Sequence, residues 1–195
     1  MKFAGMSNLL LNSQMLYSGL GNLLPNSQKR YSGMGDVSPS SQKCYRAHHD
    51  FDYPSPMTFA NPGPDEICHM LRSIRTIAVI GLSPNPARPS FRVARAMQGN
   101  GYRIVPVRPL VKEVLGELAY TDLESIPFKV DMVDVFRAPQ HVPAIVESCI
   151  ALGIPRLWLQ DGVVHEEAAQ RAQAAGIEVV MDRCIWRDYS QLCTL

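Results

Sequence analysis

Short β-branched runs alternate with stretches of helical spacing along the second two-thirds of this chain. Residues 77–80 are an apolar run too short for a lone helix and closed by Gly81, which predicts a buried strand. Beyond a proline-rich turn, Val93, Ala94 and Met97 share one helical face, with Ser90 as the expected N-cap and residues 99–101 as the stop. Residues 102–107 predict a second strand that halts at Arg108-Pro109. The stretch 110–127 is irregular, with a short strand expected over 117–120 and a turn of helix opened by Asp122. Strands follow at 130–136, 156–160 and 177–181. The helix between the first two of these carries Pro139 and Pro143 in its first turn and Val142, Ile145, Val146, Cys149 and Ile150 at helical spacing. The helix between the last two, over 164–175, has Glu166 and Glu167 at its start and Gly176 at its stop. Ahead of them all, Asp65 can cap a short helix reaching Ser73, with Ile67, Met70 and Leu71 inward.

Strands alternating with helices imply an α/β fold, a Rossmann-like doubly wound parallel sheet of five or six strands in the order 3-2-1-4-5-6, its third strand short. In such sheets ligands bind beyond the carboxyl ends of the strands, and a helix start offers free N–H groups to a phosphate. The turn from Gly81 to Ser90 is therefore the leading site.

Residues 1–64 have a different character. Three copies of a fourteen-residue unit run from 5 to 46, with Ser13-Gln14, Ser27-Gln28 and Ser41-Gln42 recurring, as do Tyr17, Tyr31 and Tyr45. Gly and Pro inside each unit break a coiled-coil reading, and units this short bury too little for a solenoid. A low-complexity, disordered tail joined by the proline-rich linker 53–64 to a folded domain over 65–195 is expected. The near-identity of the units also fits a translated DNA repeat upstream of a start near Met57.

Composition narrows the function classes. Hydrophobic residues at 46% and charged residues at 19% describe a globular chain with no run long enough for a membrane span. A net charge of +1 without a basic block names no nucleic-acid partner. Five cysteines without a CxxC pair fit neither a disulfide framework nor a zinc knuckle, and a reducing cytoplasm suits them. The amino terminus lacks a secretory core, and with Asp36 the one acidic residue in 1–46, a transit peptide stays open.

The turn fixes which ligand chemistry is plausible. Gly81-Leu82-Ser83-Pro84-Asn85-Pro86-Ala87-Arg88-Pro89-Ser90 is no G-x-G-x-x-G, and no acidic residue ends the second strand to hold a ribose. Arg108 keeps a 2′-phosphate, and so NADP, open. Six segments, IAVIGLSPNPARPSFRVA, YRIVPVRP, VLGE, VDMVDVFRAP, LWLQDGVV and VVMDRC, follow one another in an order that resembles the small CoA-binding proteins related to the CoA-binding domain of the succinyl-CoA synthetase α subunit. That resemblance spans about 65–189. It implies that coenzyme A lies across the carboxyl edge of the sheet, with Gly81, Ser83, Arg88 and Ser90 near phosphate and Val107 and Pro109 near adenine. The family commonly carries Asn where this chain has Arg108.

Residue chemistry agrees with that assignment. A helix start with Ser90 and a guanidinium at Arg88 makes an anion pocket, and Phe136 with Arg137, after the strand next to the first, can bracket adenine or the pantetheine arm. Gln160 and Gly162 sit at another strand's carboxyl end. Each also has a purely structural use: Ser90 as a cap, Arg88 as a surface charge, Phe136 as core, Gln160 and Gly162 as a turn. Cys184, beside Arg183, is the one reactive candidate, and as a small apolar side chain it also fits a buried role. No catalytic constellation emerges, since G-x-S-x-G is absent and the histidines are scattered without metal-ligand spacing.

Three functions remain on this reading. The first is a stand-alone binder of CoA or acyl-CoA. The second is an NADP-dependent oxidoreductase or the CoA-binding subunit of an acyl-CoA ligase. The third is a CoA-sensing regulator acting through a protein partner, with a homodimer also open.

Overall fold

A computed structural model describes residues 59–193. The three repeats, the tail expected to be disordered and most of the linker lie outside the described residues.

Helix α1 (Pro64–Ser73) leads into strand β1 (Thr76–Ile80), helix α2 (Pro89–Gly99) and strand β2 (Arg103–Val107). A hairpin of β3 (Glu113–Val114) and β4 (Glu117–Leu118) precedes β5 (Met132–Val135), α3 (Val142–Leu152), β6 (Arg156–Leu159), α4 (Glu166–Ala174), β7 (Glu178–Val180) and α5 (Ile185–Leu192). Five strands pair in parallel in the order β2-β1-β5-β6-β7. The doubly wound α/β sheet expected from the alternation is present.

Among the described residues its sixth strand is not. The order 3-2-1-4-5-6 needs a full strand outside β2, yet the chain there makes a single parallel bridge between Val107 and Tyr120. Tyr120 donates its N–H to the Pro106 carbonyl at 2.9 Å and accepts from the Arg108 N–H at 2.8 Å. The next outward donor on β2 would be the nitrogen of Pro106, which carries no hydrogen, so a longer ladder loses its rung. Glu117–Leu118 instead fold back on Glu113–Val114. Leu115 and Gly116, both at positive φ, make the two-residue turn that such a hairpin takes. Likewise Asp122 opens a turn rather than a helix, its Oδ1 accepting from the Ser125 N–H at 2.8 Å.

Alternation along the strands puts apolar side chains on both faces. Ala78, Val105, Val133, Val135, Leu157, Leu159 and Val179 face α3 and α4, while Ile77, Val79, Ile104, Met132, Trp158 and Val180 face α1, α2 and α5. Near-complete burial of these side chains, at about 25 cal/mol per Å² of apolar surface, is the main source of stability. The outer edge of β7 is covered by Asn61, whose amide acts like a strand: Nδ2 donates to the Met181 carbonyl at 2.9 Å and Oδ1 accepts from the Met181 N–H at 2.7 Å.

Helix α5 has no counterpart among the elements expected from the sequence. Ile185 and Asp188 are its buried positions.

Candidate functional site

The sheet brings the ends of β1, β2, β5 and β6 to one edge, and the cleft opens where the crossovers diverge, between β1 and β5. Gly81 stands there at φ 84°, its N–H held by the Val107 carbonyl at 3.0 Å. A Cβ on Gly81 would lie 2.5 Å from the Phe136 carbonyl oxygen, so a side chain cannot be accommodated without moving backbone. That close approach lets β5 and the first turn meet.

Hydrogen bonds within the turn brace residues 83–90. Asn85 accepts from the Ala87 N–H at 2.9 Å, Ser83 Oγ accepts from the Asn85 N–H at 3.2 Å, and the Ser83 N–H donates to Ser90 Oγ at 3.1 Å. Ser90 is therefore not the N-cap expected from the sequence. Pro89, whose fixed φ suits the first helical position, starts α2 two residues earlier, and Arg88 takes the cap position without a side-chain cap bond. Buried Ser90 spends its hydroxyl on closing the loop. The amides of Ser90 and Phe91 meet no acceptor among the described residues and remain available to an anion.

Two cavities share this edge. One, of about 690 Å³, is lined by Ser83, Arg88, Ser90, Phe136, Gln160 and Cys184 among others; the other, of about 270 Å³, is lined by Val107, Pro109, Ile145 and the 121–124 turn. Gly81, Arg108 and Arg137 border both. Eleven of the twelve residues singled out from the sequence thus border one cleft. Gly162 does not line it: its N–H donates to Asp182 Oδ1 at 2.7 Å, and it serves the turn.

Charge is distributed unevenly around the molecule. Arg156, Arg171, Arg183 and Arg187 each face a carboxylate, Glu178, Glu147, Asp188 and Asp161 in turn. Eight further arginines have no acidic partner among the described residues, and of these Arg88, Arg108 and Arg137 line the cleft. Arg183 commits its guanidinium to Asp188, so it is not the free cation beside Cys184 that the sequence offered. Cys149 is a core thiol that burial pushes up to about 12.

The sequence reading missed two buried acids, Asp188 in α5 and, at this edge, Asp134. Asp134 lies mid-strand in β5, 2% exposed, and accepts from Gln160 Nε2 at 2.8 Å. Its signal was present in the sequence as a carboxylate inside an otherwise apolar strand run.

Fold and cleft define a class: a doubly wound α/β domain with a cationic, donor-lined crevice at its topological switch point. Comparison with known proteins gives the family. The model of the CoA binding domain matches residues 75–190, and the chain belongs to that family. It is 42% identical over 125 residues to an uncharacterised protein of Bacillus subtilis (strain 168), YneT, covering 64% of this chain and 93% of that one. A solved structure of a hypothetical protein from Pyrococcus horikoshii OT3 superposes with a TM-score of 0.65 at 33% identity, covering 67% of this chain and 92% of the other. The chain is also 28% identical over 101 residues to ADP-forming acetate–CoA ligase II of Archaeoglobus fulgidus, a match to 51% of this chain and 15% of the ligase.

Proposed function

We propose that this protein binds coenzyme A or an acyl-CoA in the cleft at the carboxyl edge of the sheet, without catalysing a reaction on its own. The observation that carries this reading is the trio Arg88, Arg108 and Arg137, without an acidic partner among the described residues and all lining the larger cavity, with Arg108 and Arg137 bordering the smaller one as well. Three guanidinium groups along one cleft offer forked donors to a polyanion, and a diphosphate with a further phosphate is such a ligand. The Ser90 and Phe91 amides add neutral donors at the start of α2.

The shapes divide the ligand. The smaller cavity, with Val107 and Pro109 on its wall, suits a flat base. The larger suits a long, thiol-bearing arm, and it ends on residues of several elements: Phe136, Gln160 and Cys184. The phosphates then sit between them, at Gly81, Arg108 and Arg137. Membership of the CoA-binding family supports the same ligand.

The match to part of an acetate–CoA ligase favours a second reading, that the chain is the CoA-holding part of a larger ligase assembly. Calorimetric titration of the full chain with CoA, acetyl-CoA, NADP and NAD separates these. Binding of CoA and acetyl-CoA with neither nicotinamide nucleotide is the expected result. Preference for NADP would overturn it, and turnover of acetate, ATP and CoA only on adding a second chain would favour the ligase reading.

A further inference from the structure

Asp134 is the register partner of Val79 and Trp158, so its side chain shares the sheet face covered by α1, α2 and α5. It is 2% exposed in an apolar layer. A carboxyl group there is costly, and an apolar side chain of similar size would serve the core better. Its polar contacts are to Gln160 Nε2, at 2.8 Å to Oδ1, and to the Val135 backbone.

Gln160 links this acid to the cleft. It is 4% exposed yet lines the 690 Å³ cavity. With Nε2 turned to the carboxylate, Oε1 is the free end of the amide. Among the described residues the one sealed side-chain polar atom without a partner is Asp188 Oδ1, so Gln160 Oε1, which has no donor, keeps contact with open space. An ionised carboxylate only accepts hydrogen bonds and therefore permits one amide orientation; a protonated one permits both.

We propose that Asp134 is a positioning residue: its carboxylate holds the Gln160 amide so that Oε1 faces the larger cavity as the acceptor for an N–H of the ligand's amide-bearing arm. This rests on the CoA reading of the cleft and assigns the arm a specific partner. Burial pushes the Asp134 carboxyl up to about 7, while the bonds from Gln160 and Val135 pull it down. The ionisable groups that the surrounding elements bring to this end are Arg88, Arg108, Arg137, Asp161 and Cys184 at the cavity, with Arg183 and Asp188 paired beside α5. None of them contributes to the shift of Asp134. The switch from one amide orientation to two therefore falls near neutral pH.

The test compares CoA with the terminal methyl ester of 3′-phospho-ADP, which carries the same ionisable phosphates but no arm, by calorimetry on the full chain from pH 5.5 to 8. The ratio of the two affinities cancels phosphate titration. In the unsubstituted protein the preference for CoA should grow about twofold as pH rises, because protonation leaves only about half of the molecules in the competent orientation. Asp134→Asn should make the ratio independent of pH, and Gln160→Met should lower it at every pH. A pH profile unchanged in Asp134→Asn, or equal losses for both ligands in Gln160→Met, would overturn the positioning role while leaving the CoA reading intact. Binding of neither ligand by the unsubstituted protein would overturn the CoA reading, and this assignment with it.

Discussion

The two ends of the sheet differ in how their polar groups are closed. At the amino end Asp131 Oδ2 accepts from the Arg75 and Thr76 amides, both at 2.9 Å, Arg156 meets Glu178, and Arg103 lies over the Phe128 ring at 3.9 Å. At the carboxyl end Arg88, Arg108 and Arg137 and the Ser90 and Phe91 amides lack internal partners among the described residues. Cavity size does not separate the ends, since a cavity of about 620 Å³ lies at the amino end beside Lys129 and Asp131. Unpaired cations alone do not separate them, since Arg75 and Lys129 at the amino end also lack an acidic partner among the described residues; what does is the grouping of cations with free helix-start amides. A fold has no stabilising use for it, so it marks the end that awaits a ligand.

Replacing Arg88, Arg108 and Arg137 together by Ala should break that contrast most strongly. CoA affinity should fall at least about a thousandfold, from charge-assisted hydrogen bonds worth roughly 1.5–3 kcal/mol each. Circular dichroism and the denaturation midpoint should stay unchanged, because no internal ion pair is lost. Arg88→Ala alone sharpens the assignment: a larger loss for CoA than for dephospho-CoA would place Arg88 on the 3′-phosphate, and equal losses would place it on the diphosphate. No loss for either would remove it from the site.

Gly81→Ala attacks the architecture of the same end. With φ at 84° and a Cβ 2.5 Å from the Phe136 carbonyl oxygen, a loss of about 2–4 kcal/mol is expected in urea unfolding. Asp134→Asn should act in the opposite direction and mainly at high pH. The folded chain holds the Asp134 proton more tightly than the unfolded one, its pKa raised from 3.8 to about 7. The stability that comes with neutral Asp134 is complete below the lower value and is lost as pH rises through the upper one. Thermal melts should therefore show Asp134→Asn gaining on the unsubstituted protein by roughly 4 kcal/mol at pH 8 and by less than about 1 kcal/mol at pH 4. The smallest effect belongs to the closed end: Asp131→Ala should cost about 1 kcal/mol of stability through two uncapped amides and leave CoA affinity untouched.

Much of this contrast was legible in the sequence, for physical reasons. Buried parallel strands must be short and β-branched, so the runs at 77–80 and 130–136 announced themselves, and their carboxyl ends located the cleft. Ser90 was drawn to the site, but its role was misread because a serine after Pro89 sits inside the helix rather than capping it. The outer strand was overestimated since Pro106, harmless on an edge, removes the donor a further strand needs. Helix α5 escaped because Asp188, which holds an inward position through Arg183, looks polar in a pattern read for apolar spacing. Asp134 escaped for the converse reason: a single carboxylate in VDMVDVF does not break a strand, and its meaning depends on Gln160, twenty-six residues further on.

The unequal closure of the two ends is tested most directly by amide spectroscopy of the isotope-labelled full chain during addition of CoA. The Gly81, Ser90 and Phe91 amides should shift in a saturable way while those of Arg75, Thr76 and Asp131 stay still. No saturable shift at the first group, or shifts confined to the second, would contradict the account.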